Sequence, residues 1–187
     1  MFRRKINPEA ELRMLEPRNA DELFALIDAN RARLRQWLPW VDNTRKVEDS
    51  RLFIMQGLER FEQNGCLDAG IWYKSRLAGV IGLMVHSDGK SDIGYWLGEE
   101  FEGKGLVTIA CRALLRHVFE DLELNRVEIK VATGNTRSHS IPRRLGFTHE
   151  GVLRQDGWLY DHYVDHDVFS LLRSEWLLQQ NDERKGR

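Results

Sequence analysis

Gly103 and Gly105 stand one residue apart in the run Glu100-Phe101-Glu102-Gly103-Lys104-Gly105-Leu106, between an aromatic, β-prone stretch and a strongly helical one. Glycine takes φ > 0 readily and lets a backbone approach a ligand closely. A helix opening at Leu106 offers unpaired N–H groups and the positive end of its dipole. Strand, glycine loop and helix N-terminus in that order make a seat for a phosphate or diphosphate, although the same order also serves as a plain strand-to-helix turn. The spacing is not Gly-x-x-x-x-Gly-Lys-Ser/Thr, and it lacks the third glycine and downstream acid of the dinucleotide fingerprint. Neither ATP nor NAD is indicated.

The second polar concentration is Tyr160-Asp161-His162-Tyr163-Val164-Asp165-His166-Asp167. On a strand, residues four apart share a face but lie about 13 Å from each other. One ion cannot take both histidines, so the run reads as a polar strand lining a cleft or a subunit contact. Cys66 and Cys111 are the only cysteines, too few for a disulfide framework or a zinc cluster. No metal is expected.

These residues need elements to hold them. Glu11–Leu15 reads as a first strand. Asn19 and Glu22 make a capping pair, and Leu23, Leu26, Ile27 and Leu34 carry a helix to about Arg35, broken by Gln36-Trp37-Leu38-Pro39-Trp40. A second helix is expected over Val47–Asn64, with Leu52, Met55, Leu58 and Phe61 on one stripe and Gly65 at its end. Leu67–Tyr73 and Leu77–His86 read as strands joined by a tight turn, and Ser87-Asp88-Gly89-Lys90 leads into strand Asp92–Leu97. Leu106–Leu122 follows as a helix buried through Leu114, Leu115, Val118 and Phe119. Arg126–Ala132 alternates cleanly as a strand, Ser138–Leu145 is a short helix stopped by Gly146, and strands Phe147–Leu153 and Tyr163–Leu172 flank a turn at Asp156-Gly157.

Composition bounds the rest. The 187 residues are 42% apolar and 30% charged, with 28 basic against 29 acidic side chains. That balance suits one globular domain over residues 1–180 with a charged, disordered tail at 181–187, and it supplies no broad basic field for nucleic acid. No run approaches the roughly 18 apolar residues of a membrane span, and Met1-Phe2-Arg3-Arg4-Lys5 has no apolar stretch after it to make a signal peptide. A cytoplasmic protein with no nucleic-acid or membrane partner is expected.

Strand, Gly103-x-Gly105, helix, strand, then Asn135-x-x-Ser138, Leu145-Gly146-Phe147 and Glu150-Gly151 resemble the GNAT superfamily of acetyl-CoA-dependent N-acetyltransferases. Trp37-Leu38-Pro39-Trp40 and Gly94-Tyr95-Trp96-Leu97 are most similar to its ribosomal-protein serine N-acetyltransferases. The resemblance covers about residues 10–175. It implies an α/β fold: a mixed, mostly antiparallel seven-stranded sheet with helices on both faces, in the order β-α-α-β-β-β-α-β-α-β-β. It also implies acetyl-CoA as co-substrate, direct attack by an amine, and a homo-oligomer, dimer or higher. The acceptor implied is a protein N-terminus, possibly ribosomal. Acetylation of a small amine (polyamine, amino acid or antibiotic) and a non-catalytic acyl-CoA-binding module are the alternatives.

Residue by residue, the resemblance places the diphosphate on the backbone of Glu102, Gly103, Lys104, Gly105 and Leu106. Family members usually carry Gln or Arg where this chain has Glu100, which leaves the nest and Lys104 to hold the anion. The pantetheine arm would enter by Trp96 and Leu97, with the Leu97 amide polarising the thioester carbonyl and Asn135 anchoring the arm. Pro142 stands where many relatives have a tyrosine, so Ser138 becomes the donor to the leaving thiolate; capping its own helix is its other reading. The glutamate of relatives in the last turn is replaced by Gly157. That leaves Asp156, Glu150 or water alone to take the amine proton. Trp37, Trp40 and Tyr95 would wall the acceptor site, or the tryptophans would pack over the sheet edge. Arg31, Arg33 and Arg35 read as a solvated face able to meet an acidic peptide.

Overall fold

The computed structural model describes residues 2–185. Arg3–Lys5 (β1), Ala10–Met14 (β2), Leu67–Tyr73 (β3), Arg76–Val85 (β4) and Lys90–Leu97 (β5) pair antiparallel in chain order. Arg126–Ala132 (β6) lies parallel beside β5, His162–Leu172 (β8) joins β6 antiparallel, and Thr148–Leu159 (β7) takes the edge. The mixed, mostly antiparallel sheet therefore has eight strands rather than seven. The added strand is β1, whose Arg3-Arg4-Lys5 triplet carries no apolar alternation to reveal it.

Helices cover both faces. Ala20–Ala29 (α1), the four-residue Arg31–Leu34 (α2) and Val47–Asn64 (α3) belong to one layer, in which Leu23, Ile27 and Ile54 meet Trp72, Leu77 and Val80. Leu106–Arg116 (α4), Thr136–Arg144 (α5) and Arg173–Lys185 (α6) belong to the other, in which Leu114 and Trp176 join Ile81, Ile93 and Ile129. Alternation along each strand feeds both layers at once. Each fully buried Leu, Ile or Phe contributes roughly 1.5–3 kcal/mol.

Four expectations need correction. The first helix is interrupted at Asn30, whose side-chain amide donates to Leu26 O at 2.8 Å while its side-chain oxygen accepts from the Glu99 N–H at 2.9 Å. In α3, Leu52 and Met55 are exposed, and the buried face is Ser50, Ile54 and Gly57. Gly57 lies on this face, where the helix approaches β3 closely enough that a Cβ would stand 2.8 Å from Asp68 Oδ2. The last hairpin turns at Tyr160-Asp161, not at Asp156-Gly157, which lie inside β7 at a bulge between Leu153 and Gly157. Finally, α6 runs helical through Lys185, where a tail was expected from Asn181; residues 186–187 lie outside the described residues. The long helix from Leu106 is regular to Arg116 and widens into a looser turn over His117–Asp121.

Candidate active site

The sheet opens where β5 and β6 part. Their parallel ladder covers only Lys90–Asp92 against Arg126–Glu128, although β5 continues to Leu97 and β6 to Ala132. On its other edge β5 stays paired to β4 throughout, with Gly98 N–H donating to Ala78 O at 2.9 Å. Alternation then turns the backbone groups of Tyr95 and Leu97 away from β4 and into the gap. Gly79 keeps β5 pressed to β4, because a Cβ there would collide with the Trp96 carbonyl oxygen. A wedge with a free N–H at Leu97 is the result.

The wedge leads to the glycine loop. Gly103 and Gly105 both take left-handed φ, 73° and 70°, and a Cβ on either would meet nothing within 4 Å. Glycine is required there by conformation, and the space above the loop is open. Glu102 N–H donates to Glu99 O at 3.2 Å, so that amide, expected in the cradle, is already used. Among the described residues no backbone N–H from Gly103 to Thr108 donates to a protein acceptor, and α4 has no side-chain cap. The Thr108 hydroxyl beside them is buried without a hydrogen-bond partner among the described residues. A run of unpartnered amides at a helix N-terminus, with Gly103, Gly105, Leu106, Val107 and Thr108 on one cleft, fits a diphosphate.

Wedge and loop form one cleft of about 830 Å³, lined among others by Trp37, Tyr95, Trp96, Asn135 and Ser138. Of the expected site residues, Leu97, Glu102, Gly103, Gly105 and Leu106 also line it. Lys104 does not; its ammonium turns back to Glu100 O at 2.7 Å. Glu100 is engaged by both outer nitrogens of Arg76 at 2.7 and 2.9 Å. The cations on the cleft are Arg33, Arg137 and Arg144. Arg33 and Arg137 both bind the Glu102 carboxylate. Sequence reading missed Arg137 although it lies inside Asn135-x-x-Ser138, because nothing local marks a side chain whose partner is 35 residues away.

Helix α5 is set by Asn135, not by Ser138. Asn135 is the N-cap, and its side-chain oxygen accepts the Ser138 N–H at 3.2 Å, which leaves the Ser138 hydroxyl free of the capping role. Tyr95 donates its hydroxyl to Ser138 O at 3.2 Å, and burial raises that phenol well above its ordinary value. Trp37 lies over Gly134, where a Cβ would stand 3.3 Å from the indole. Trp40 is not on the cleft; it backs Trp96, with ring centroids 6.0 Å apart. The Tyr160 hydroxyl, donating to Leu38 O at 2.6 Å, fastens the last hairpin to this wall, and Arg35 lies 4.0 Å over the Tyr160 ring.

Neither candidate base reaches the cleft. Glu150 sits at the closed end of the wedge, paired to Arg126 and accepting from the Ser170 hydroxyl at 2.7 Å. The Arg126 guanidinium, followed by Ser170, holds its carboxyl down to about 2. Asp156 faces His166 at 3.0 Å and Lys130 at 3.6 Å. His162 pairs with Asp161 instead, and the described residues contain no group of three or more His, Cys, Asp or Glu able to hold a metal. Gly157 does not have positive φ; a Cβ there would stand 2.5 Å from His166 Cε1, so packing selects the glycine. Among the described residues no helix is long and apolar enough to cross a membrane.

The Acetyltransferase (GNAT) domain model matches residues 10–148. YdaF of Bacillus subtilis is 42% identical over 182 residues, covering 94% of this chain and 98% of that protein. The ribosomal-protein-serine acetyltransferase of Escherichia coli is 31% identical, with 89% and 94% covered. Among solved structures, the microcin C7 self-immunity acetyltransferase MccE in complex with acetyl-CoA and AMP superposes with a TM-score of 0.85 at 32% identity, over 90% of this chain and 94% of that one.

Proposed function

This chain belongs to the GNAT acetyltransferase family, and on that premise we propose that its cleft moves the acetyl group of acetyl-CoA to the N-terminal amine of a protein, a ribosomal protein first among candidates. The observation that carries the reading is the wedge, where a free Leu97 amide opens onto a nest of unpartnered N–H groups at Gly103–Thr108. The nest suits the diphosphate of coenzyme A. The free Leu97 N–H is the donor for the tetrahedral oxyanion. Ser138, on the opposite wall, is a hydroxyl able to protonate the leaving thiolate. With Asp156 and Glu150 both away from the cleft, the amine proton passes to solvent.

Likeness to the ribosomal-protein-serine acetyltransferase supports the acceptor, and an enzyme working on ribosomal proteins belongs in the cytoplasm. Likeness to the microcin C7 self-immunity acetyltransferase, solved with acetyl-CoA and AMP, supports a second acceptor class, a small molecule. Exposed Val152, Leu153 and Trp158 on edge strand β7, beside Tyr163, suit the expected homo-oligomer. The test is a mass-spectrometric acceptor screen with acetyl-CoA, setting ribosomal proteins beside a panel of small amines. N-terminal acetylation of a ribosomal protein is the expected outcome; acetylation confined to small amines overturns the acceptor.

A further inference from the structure

Arg33 on α2 and Arg137 on α5 come from different helices and line the cleft together, and both give a guanidinium nitrogen to Glu102, one to each carboxylate oxygen. Arg33 also reaches Glu99 at 3.3 Å. The arginines therefore meet over the glycine loop through a single carboxylate. Arg137 is 71% exposed on its side chain and has no other partner among the described residues. Pairs of that kind bind weakly and exchange readily. Glu102 itself precedes the six unpartnered amides, on the loop at the positive end of α4.

We infer that Arg33 and Arg137 are phosphate ligands of the cleft and that Glu102 is their stand-in anion, displaced when the diphosphate of coenzyme A arrives. The inference rests on the coenzyme reading of the cleft given above. A diphosphate offers planar arginines more charge and more acceptor oxygens than one carboxylate does. A carboxylate left facing that diphosphate would repel it, so entry of the ligand and release of Glu102 are one exchange. Loading the nest then costs the protein the two ion pairs it already has. Affinity for coenzyme A is correspondingly lower than the nest and the arginines alone would give.

Calorimetric titration of the full chain with coenzyme A tests this, using wild type, Glu102→Gln, Arg137→Gln and the double variant. Pantetheine, which keeps the thiol arm and lacks the phosphates, is titrated beside it. Glu102→Gln should bind coenzyme A about fivefold more tightly, the scale of one exposed ion pair, and Arg137→Gln should bind it more weakly. In the Arg137→Gln background the gain from Glu102→Gln should shrink, because Arg137 is one of the two arginines that the substitution frees. Pantetheine should bind all four proteins alike. Coenzyme binding by Glu102→Gln that is equal to or weaker than wild type overturns the inference, as does a gain that survives intact in the double variant or appears with pantetheine. Failure of all four proteins to bind coenzyme A overturns the cofactor reading itself, and this inference with it.

Discussion

Tyr95 donates its hydroxyl to the carbonyl of Ser138 at 3.2 Å, tying the strand that carries the free Leu97 amide to the helix that carries the serine. One bond thus sets the spacing between the donor proposed for the oxyanion and the donor proposed for the thiolate. Burial keeps the phenol protonated far above neutral pH, so the tie does not titrate with the reaction. Tyr95→Phe should lower kcat by about fivefold, the scale of one net hydrogen bond, with no change in the shape of the pH–rate profile. A variant with normal turnover per folded molecule and only a lower Tm would show that the tie is structural alone.

Ser138→Ala should depress kcat more than it raises KM for acetyl-CoA, because the thiolate needs its proton donor chiefly in the transition state. The upper bound is about 3 kcal/mol, the worth of a single oxyanion-hole donor. Since Asn135 caps the helix, melting temperature should hardly move. Steady-state kinetics beside a thermal melt separates the two effects; a fallen Tm with intact kcat contradicts the assignment.

Local chemistry was legible where one rule decided the outcome. Arg126–Ala132 alternates and is β6 residue for residue, and Gly65 ends α3 with φ 76° as a left-handed cap should. The nest was legible for the same reason, since Gly103 and Gly105 do need positive φ. Reading failed where two rules competed. Asp156-Gly157 carries turn chemistry, but the bulge at Gln155 (φ 53°) absorbs it and the chain reverses three residues later at Tyr160. Of the stripe Leu52, Met55, Leu58 and Phe61 in α3, only the last two pack on the core, while Ser50, Ile54 and Gly57 form the buried face. The arginine pair on Glu102 joins residues from three separate elements and leaves no trace in any one of them.

Acid stability should report the ion pair at the closed end of the wedge. Glu150 falls from an ordinary 4.5 to about 2 when folded, chiefly through Arg126. A depressed carboxylate contributes stability above its unfolded pKa and loses it as pH falls through the folded one. The window is therefore about pH 4.5 down to 2. Glu150→Gln should lower Tm at neutral pH and flatten its decline across that window, while leaving turnover per folded molecule unchanged. Thermal melts as a function of pH check this, and a decline as steep as wild type contradicts it.

Asp156 stands against His166 and Lys130 and away from the cleft. If solvent takes the amine proton, Asp156→Asn should show the wild-type dependence of kcat/KM on pH. A loss at neutral pH that recovers as the amine deprotonates in solution would instead mark Asp156 as the base.

Coenzyme A on the Gly103–Thr108 nest, with acetyl transfer in the wedge between β5 and β6, is open to a direct assay. The most direct measurement is thiol release from acetyl-CoA in the presence of a ribosomal-protein N-terminal peptide, for wild type and a Gly103→Val/Gly105→Val variant whose fold is verified by circular dichroism. Release by wild type should require the free amine and stop with a pre-acetylated peptide, and the variant should lose both turnover and coenzyme A binding. Undiminished turnover in the folded variant would place acetyl transfer away from this nest.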